Sequence, residues 1–482
     1  MVQFYKGPKA NSSAKRAKNT RKRSAINQAS QRSHQSKHLG CEESSNDIET
    51  LTIDTMDHHG NGIVLSTQPI TIVEGALSGE TVKAAPYACS KTVRRAKLKE
   101  VVKASADRVT PICKVYEQCG GCSLQMLSSS KGLKYKNDAL IAYFSKALKI
   151  SPTQWLAPIE TQTHDVNPQN KEGYRRKVRF AIDARNPQNI KVGYRQSQSS
   201  KVVDIDTCPI LHPDLLQKVE QLLPLIKTLG CTQKLGHLEC TLTTDGVVVW
   251  VNLTKALNEQ DKTAMYALAK QASVRLICQF KGESIVEAGE QYASLCIQDI
   301  DDIKLELKPR HFLQINPYIN AHMVQQAIQW LAPKPGDHIK DFYCGLGNFS
   351  IPLAKQCATL IGYEGVQDMV EQARLNAQRN DMHNTQFEHL DLSSKEALQS
   401  VNVSQNDLIL LDPSREGALA LCEMLVATRP MRIVYVSCNA NTLIRDLKVL
   451  SSAYTVSALR SLDMFPYTQH LEVMVLLNTS KS

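Results

Sequence analysis

No stretch of about 20 consecutive apolar residues occurs in this chain of 482, which excludes a membrane-spanning helix. The N-terminus also lacks the apolar core of a secretory signal, so a cytoplasmic protein is expected. An internal repeat of 20 to 50 residues is missing, which excludes a solenoid or a propeller. Acidic residues are absent from residues 1–40, which hold ten Lys and Arg. Removing those ten from the total of 57 leaves 47 cations against 47 acids, so the formal charge of +10 belongs to a tail. Residues 1–47 also have few large apolar side chains and are expected to be disordered. Such a tail either adds sequence-blind affinity for phosphates or serves as a solubilising extension.

The remainder of the chain has ample apolar content and a length suited to two to four domains of about 150 residues each. From residue 48 to about 107, short β-prone runs (Leu51–Ile53, Gly62–Leu65, Ile70–Val73, Thr81–Ala84, Ala96–Lys99) are broken by glycine-rich turns, the pattern of a small OB-like barrel. Its last strand carries Lys91, Arg94, Arg95, Lys97, Lys99 and Lys103 against Glu100. That suits nucleic-acid binding, although lysines also blunt a solvated edge strand.

Residues 108–308 read as a mixed α/β unit. A helix is expected over Leu133–Lys149, and Tyr174–Ile182 alternates as a strand with Arg175, Lys177 and Arg179 on one face and Val178, Phe180 and Ile182 on the other. Three like charges on one face call for solvent or for RNA phosphate. Cytosolic thiols stay reduced, so clustered cysteines point to metal or catalysis. Cys113, Cys119 and Cys122 with the distant Cys208-Pro209 lack the two C-x-x-C knuckles of a structural zinc, and the spacing favours a [4Fe-4S] cluster, with zinc the competing reading.

Residues 309–482 alternate strand and helix as a doubly wound sheet does: helix Ile319–Leu331, strand Asp337–Phe342, helix Ser350–Ala358, strand Thr359–Tyr363, helix Val366–Asn380, then strands Asp407–Leu411, Arg432–Val436 and His470–Leu477. The loop Asp341-Phe-Tyr-Cys-Gly345-Leu-Gly347 lets backbone approach a ligand, and Glu364 ends the next strand where a ribose hydroxyl can be bound. Ser350 stands in place of the third glycine of a dinucleotide fingerprint, and Asp341 would face, and repel, a pyrophosphate. The loop therefore suits the amino-acid end of S-adenosylmethionine and a methyltransferase better than a dehydrogenase. Cys438, between Ser437 and Asn439 at a strand's carboxyl end, is a candidate nucleophile, with Asp412 and Arg415 brought to the same crevice. Glu472 is a candidate base.

Together with Phe312-Leu-Gln314-Ile-Asn316 and His470-Leu-Glu472, these motifs resemble the TRAM-domain RNA uracil-5-methyltransferases, in particular the iron-sulfur type acting on 23S ribosomal RNA. The likeness covers nearly all of the chain after residue 47. It implies a TRAM barrel (48–107), a central domain (108–308) whose Cys113, Cys119, Cys122 and Cys208 hold a [4Fe-4S] cluster, and a Rossmann-like methyltransferase domain (309–482). It further implies that Gln314, Tyr343, Asn348, Glu364, Asp391 and Asp412 line the S-adenosylmethionine pocket, that Cys438 adds to carbon 6 of uracil, and that Glu472 removes the proton from carbon 5. Ribosomal RNA with a flipped uridine is the implied partner, and a monomer the expected state. Ala440, Tyr343, Ser414 and Glu416 depart from the family's usual residues, but none removes a reacting group. A transfer RNA enzyme and a silent RNA-binding protein on the same fold are the competing readings.

Overall fold

Strand pairing begins at residue 49, where β-prone runs first appear, in a computed structural model that describes residues 48–148, 155–161, 172–197, 199–289, 295–300 and 302–480. The basic tail of residues 1–47 lies outside the described residues. Strands Glu49–Thr52, Thr55–Met56, Gly62–Val64, Ile70–Glu74, Thr81–Cys89 and Val93–Lys103 form one sheet, in the spatial order first, fifth, sixth, fourth, third, second. Period-two alternation sends Val73, Val82, Ala84 and Ala96 into a core with Leu51, Ile53 and Val64. The basic last strand is only partly a free cationic face. Both guanidinium nitrogens of Arg94 are engaged by Glu49, at 2.8 and 2.7 Å, whereas Lys91, Arg95, Lys97, Lys99 and Lys103 are exposed.

A second sheet runs Glu283–Ala288, Arg275–Phe280, Gly246–Leu253, Leu235–Thr243, Lys177–Asp183, Lys191–Gly193. Helices Pro213–Thr228 and Glu259–Ala272 cover Val247, Val249 and Val251 on one face, and Val248 and Trp250 are buried on the other with Ile277 and Leu295, which is why the run Val247–Val251 is apolar throughout rather than alternating. Val178 and Phe180 point into that core as expected. The cationic face predicted opposite them does not exist as such. Lys177 is half-buried, bonded to Glu239 at 2.9 Å and to the His311 carbonyl at 2.9 Å. Arg175 precedes the strand and is turned towards the cysteines, its Nε donating to the Lys177 carbonyl at 2.8 Å. Arg179 alone faces solvent. Burial of a charge costs too much without partners, and the two partnered cations took the structural positions.

The third sheet has seven strands in the order Thr385–His389, Thr359–Glu364, His338–Phe342, Leu408–Leu411, Arg432–Ser437, Glu472–Thr479, Tyr454–Leu462. The first five are mutually parallel, and Glu472–Thr479 is wedged antiparallel between Arg432–Ser437 and Tyr454–Leu462. Strand order reverses between His338–Phe342 and Leu408–Leu411, and at such a switch point the loops diverge and leave a crevice. Two segments from earlier in the chain pack on this unit. Helix Ser129–Leu148 places Leu140 and Phe144 in its core, and the hairpin Cys296–Ile300 with Ile303–Glu306 lays Ile297 and Leu305 against Leu346 and Ile351. Among the described residues no helix is long and apolar enough to cross a membrane.

Candidate active site

The loop leaving His338–Phe342 is bent by three left-handed residues, Tyr343 (φ 68°), Gly345 (φ 58°) and Gly347 (φ 91°). The bend is held by Tyr343 and Cys344, whose N–H groups both donate to the Tyr363 carbonyl at 2.8 and 3.1 Å. A Cβ on Gly347 would lie 3.0 Å from Ile351, so the turn needs glycine for space as well as for conformation. Glu364 accepts from the Gly345 and Val366 N–H groups at 3.2 and 2.9 Å and is thereby fixed at the crevice rim.

A cavity of about 470 Å³ opens here. It is lined by Gln314, Tyr343, Asn348, Glu364, Asp412, Cys438 and Glu472, so seven of the eight residues expected at the cofactor and the reaction centre share one wall. Asp391 does not join them. It sits on an exposed turn where its carboxylate is occupied by the Ser393 N–H and hydroxyl at 3.0 and 2.6 Å. Asp341 also departs from expectation. It is fully buried under the loop, accepts from the Ser350 hydroxyl, and leaves Oδ1 without a partner, so it does not present a charge to the cavity. Burial pushes its carboxyl up to about 8 against the Ser350 hydrogen bond, with Asp412 and Glu364 adding to the rise. The carboxylate at the cavity rim is therefore that of Glu364 rather than that of Asp341.

Positioning residues came from places the sequence did not mark. Asn348 exchanges two hydrogen bonds of 2.9 Å with buried Asn320, which also donates to Asp299 at 2.7 Å. Arg176 clamps Asp299 and donates from Nε to the Gln314 carbonyl at 2.9 Å. Ile297 and Leu305 of the hairpin complete the apolar wall with Leu346, Phe349 and Met369. Only the buried-cation rule could have separated Arg176 from its basic neighbours.

At the other end of the cavity, strands Arg432–Ser437 and Glu472–Thr479 are antiparallel partners, with Ser437 opposite Val473. One step beyond that pair the chain presents Cys438 on one strand and Glu472 on the next. Burial lifts the Cys438 thiol to about 11, with the charges of Glu472 and Asp412 adding and Arg415 opposing. Burial likewise lifts Glu472 to about 8, with Asp412 adding and Arg415 opposing, and Asp412 alone to about 7. Arg415 reaches His470 at 3.3 Å, and burial followed by the Arg415 charge holds His470 down to about 4, a neutral imidazole at pH 7.

The four cysteines of the second unit also converge. Burial raises Cys208 to about 12 and Cys122 to about 11, and each is raised further by the charges of the other cysteines of the set. All four are free thiols. Cys119 Sγ accepts from the Gly121 N–H at 3.4 Å, and the buried Tyr194 hydroxyl beside the group has no partner. Among the described residues no three His, Cys, Asp or Glu side chains are close enough to grip a single metal ion.

Comparison with known proteins fits this geometry. A sequence model of the family described as tRNA (Uracil-5-)-methyltransferase matches residues 145–480. The chain is 38% identical to the 23S rRNA (uracil(1939)-C(5))-methyltransferase RlmD of Shewanella sediminis, over 89% of this chain and 95% of that one. It is 37% identical to the protein of the same name from Alteromonas mediterranea, over 92% and 90%. In fold it is similar to the crystal structure of Pyrococcus abyssi tRNA (uracil-54, C5)-methyltransferase in complex with S-adenosyl-L-homocysteine, with a TM-score of 0.68 and 22% identity over 89% of this chain and 99% of that one. A match over most of the length, together with a cysteine and a carboxylate at adjoining strand ends over a methyltransferase crevice, places the chain in the RNA uracil-5-methyltransferase family.

Proposed function

We propose that the protein uses S-adenosylmethionine to methylate carbon 5 of a uridine in 23S ribosomal RNA, in the cytoplasm. The observation that carries this reading is the meeting of Cys438 and Glu472 at one end of a cavity whose other end is built by Glu364 and the left-handed loop. The cavity suits the methyl donor: a carboxylate fixed at a strand end for the ribose, apolar walls for the adenine, and Asp412 with Asn348 for polar groups. When bound, S-adenosylmethionine supplies an electrophilic methyl group and a positive charge.

Carbon 5 of uracil is a weak nucleophile, and the residues at the reactive end answer that difficulty. Cys438 thiolate adds to carbon 6, which turns the ring into an enolate with electron density at carbon 5. Carbon 5 then bonds the methyl group as the sulfonium bond breaks. Glu472, ionised, takes the proton from carbon 5, and the electron pair of that C–H bond restores the ring double bond as Cys438 leaves. Arg415 favours the anionic form of both groups. The uridine has to leave its stack to reach them.

Residues 48–107 are, in this reading, a TRAM barrel that holds RNA through the exposed Lys97, Lys99 and Lys103, residues 108–308 carry a [4Fe-4S] cluster, and residues 309–482 form the methyltransferase domain. The donor set fits the cluster. Four reduced thiols converge, and a four-iron cluster, with one thiolate at each iron, needs them further apart than one zinc ion would. The cluster's place is structural or RNA-positioning. Mass-spectrometric mapping of 5-methyluridine on 23S rRNA incubated with the wild-type and Cys438→Ala proteins tests the function: product with the first alone is expected, and product with both would refute the mechanism.

A further inference from the structure

Cys438 borders two cavities. Beyond the cofactor cavity lies a second one of about 250 Å³, lined by His58, His59, Asn441, Gln469 and His470 with Arg415 and Cys438 itself. His58 and His59 come from a turn of the N-terminal sheet, some 380 residues from Cys438, and the proposed chemistry gives them no role. The turn is preformed: the Asp57 carboxylate accepts from the His59 and Asn61 N–H groups at 2.9 and 2.8 Å, and the tightly packed Gly60 closes it. His58 stacks on Tyr143 with ring centroids 5.0 Å apart and planes 9° from parallel, and its Nε2 is buried without a hydrogen-bond partner. Tyr143 in turn donates to Asn441 at 2.7 Å.

The chemistry of uracil fixes what this second cavity faces. Carbon 6, the atom Cys438 must reach, is bonded to N1, and N1 carries the ribose. Carbon 5 and the methyl donor lie on the opposite side. The RNA chain therefore leaves the target base beside the thiol, on the side away from the methyl donor. On the reading that the protein is a uridine methyltransferase, we infer that the second cavity receives the nucleobase of a nucleotide adjacent in the chain to the target uridine, with the His58 ring in its wall and the exposed Gln469 amide meeting its polar edge.

A base suits this wall better than a phosphate does. Among the described residues Arg415 is its one permanent cation and no lysine lines it, whereas imidazole faces and side-chain amides are the groups that stack on bases and read their edges. Burial holds His58 and His470 down to about 4, so at neutral pH they bring no charge for a phosphate to meet. The volume, about 250 Å³, admits a heterocycle but not a duplex.

The test is a cycle between protein and RNA. A 23S rRNA fragment containing the uridine that the wild-type protein methylates is made intact and with an abasic site at each flanking position. Each RNA is assayed for kcat/KM with wild-type protein and with His58→Ala and Gln469→Ala, and binding of S-adenosylhomocysteine verifies that the variants are folded. With wild-type protein, one abasic position should lower kcat/KM about 10- to 100-fold. The variants should lose a comparable factor on intact RNA, chiefly through KM, and be nearly indifferent to that abasic site. Independent, multiplicative losses with an active wild-type protein, or no loss at either flank, would overturn the proposal alone. A wild-type protein that methylates no uridine would overturn the methyltransferase reading itself.

Discussion

Among the described residues Arg415 is the one permanent cation in the wall beside Cys438, and its removal has a calculable effect. With the thiol at about 11, only about one molecule in a thousand is thiolate at pH 8. The guanidinium is exposed, so its field is screened. For two unit charges about 6 Å apart at an effective dielectric of about 40 the attraction is about 1.4 kcal/mol, or about one pKa unit, and this is the scale taken for Arg415 and the thiolate. Arg415→Met should therefore raise the thiol by about one unit and cut the thiolate tenfold at fixed pH. Alkylation of Cys438 by iodoacetamide, quantified on the peptide between about pH 9 and 11, reads this directly. Loss of Arg415 also raises Glu472 from about 8, so the comparison is read at the upper end of that range, where Glu472 and Asp412 are ionised in both proteins. Arg415→Lys should recover most of the difference. The rate of covalent capture by 5-fluorouridine RNA should fall in parallel below pH 9. An alkylation profile that is unmoved, or moved to lower pH, in Arg415→Met would refute the electrostatic role given to this residue.

Glu472→Gln should still form the RNA adduct but release no product, because an amide cannot take the carbon-5 proton; turnover is expected to fall about 100- to 10,000-fold while covalent RNA–protein complex accumulates, and rapid turnover would exclude Glu472 as the base. Asp341, Asp412 and Glu472 hold protons in the folded ligand-free protein up to about 8, 7 and 8, whereas the unfolded chain ionises them near 4. The folded state thus binds more protons across that window, so stability should fall as pH rises from about 5 to 8, by a few kcal/mol, visible as a lower Tm; a Tm that climbs with pH would contradict the burial assigned to these groups. Gly347→Ala forces a side chain into φ 91° and against Ile351, and should cost about 1–2 kcal/mol and weaken S-adenosylhomocysteine binding, as calorimetry would show.

Much of the third sheet was legible because strand–helix alternation leaves strong marks: the helix predicted over Val366–Asn380 spans Gln367–Arg379, and the strand predicted over Thr359–Tyr363 spans Thr359–Glu364. Strand Tyr454–Leu462 escaped because polar Thr455, Ser457, Arg460 and Ser461 interrupt its apolar residues. Seven cavity residues could be named from motifs: Tyr343, Asn348, Glu364, Asp412 and Cys438 stand at or follow a strand's carboxyl end, Glu472 opens the antiparallel strand beside Cys438, and Gln314 precedes a helix. Two kinds of information were not local and stayed hidden. One is which partner a buried charge finds: in Arg175-Arg176-Lys177 a single run of cations serves the cysteines, Asp299 and Glu239, and nothing in the run names those partners. The other is which distant segment fills a wall, as hairpin residues Ile297 and Leu305 do for the cofactor and His58 and His59 do beside Cys438.

The strap Asp463–His470, which leads into Glu472, shows why such distant segments matter to the chemistry. It has no strand of its own to pair with, so its buried carbonyls need donors from elsewhere. Ser123 and Leu124, immediately after the cysteine triplet, both donate to the Tyr467 carbonyl at 2.9 Å, and the Gln469 N–H returns a bond of 3.0 Å to the Ser123 hydroxyl. The buried Lys136 ammonium donates to the Thr468 and His470 carbonyls, each at 3.0 Å, with Asp463 balancing its charge. Thr161 donates to the Asp463 carbonyl at 2.6 Å. Every one of these bonds joins residues some 300 or more apart in the chain. Whatever stiffens the cysteine loop therefore stiffens, through one hydroxyl and two N–H groups, the backbone that aims His470 and Glu472. The cysteines can be far from the reacting carbon and still contribute to its geometry.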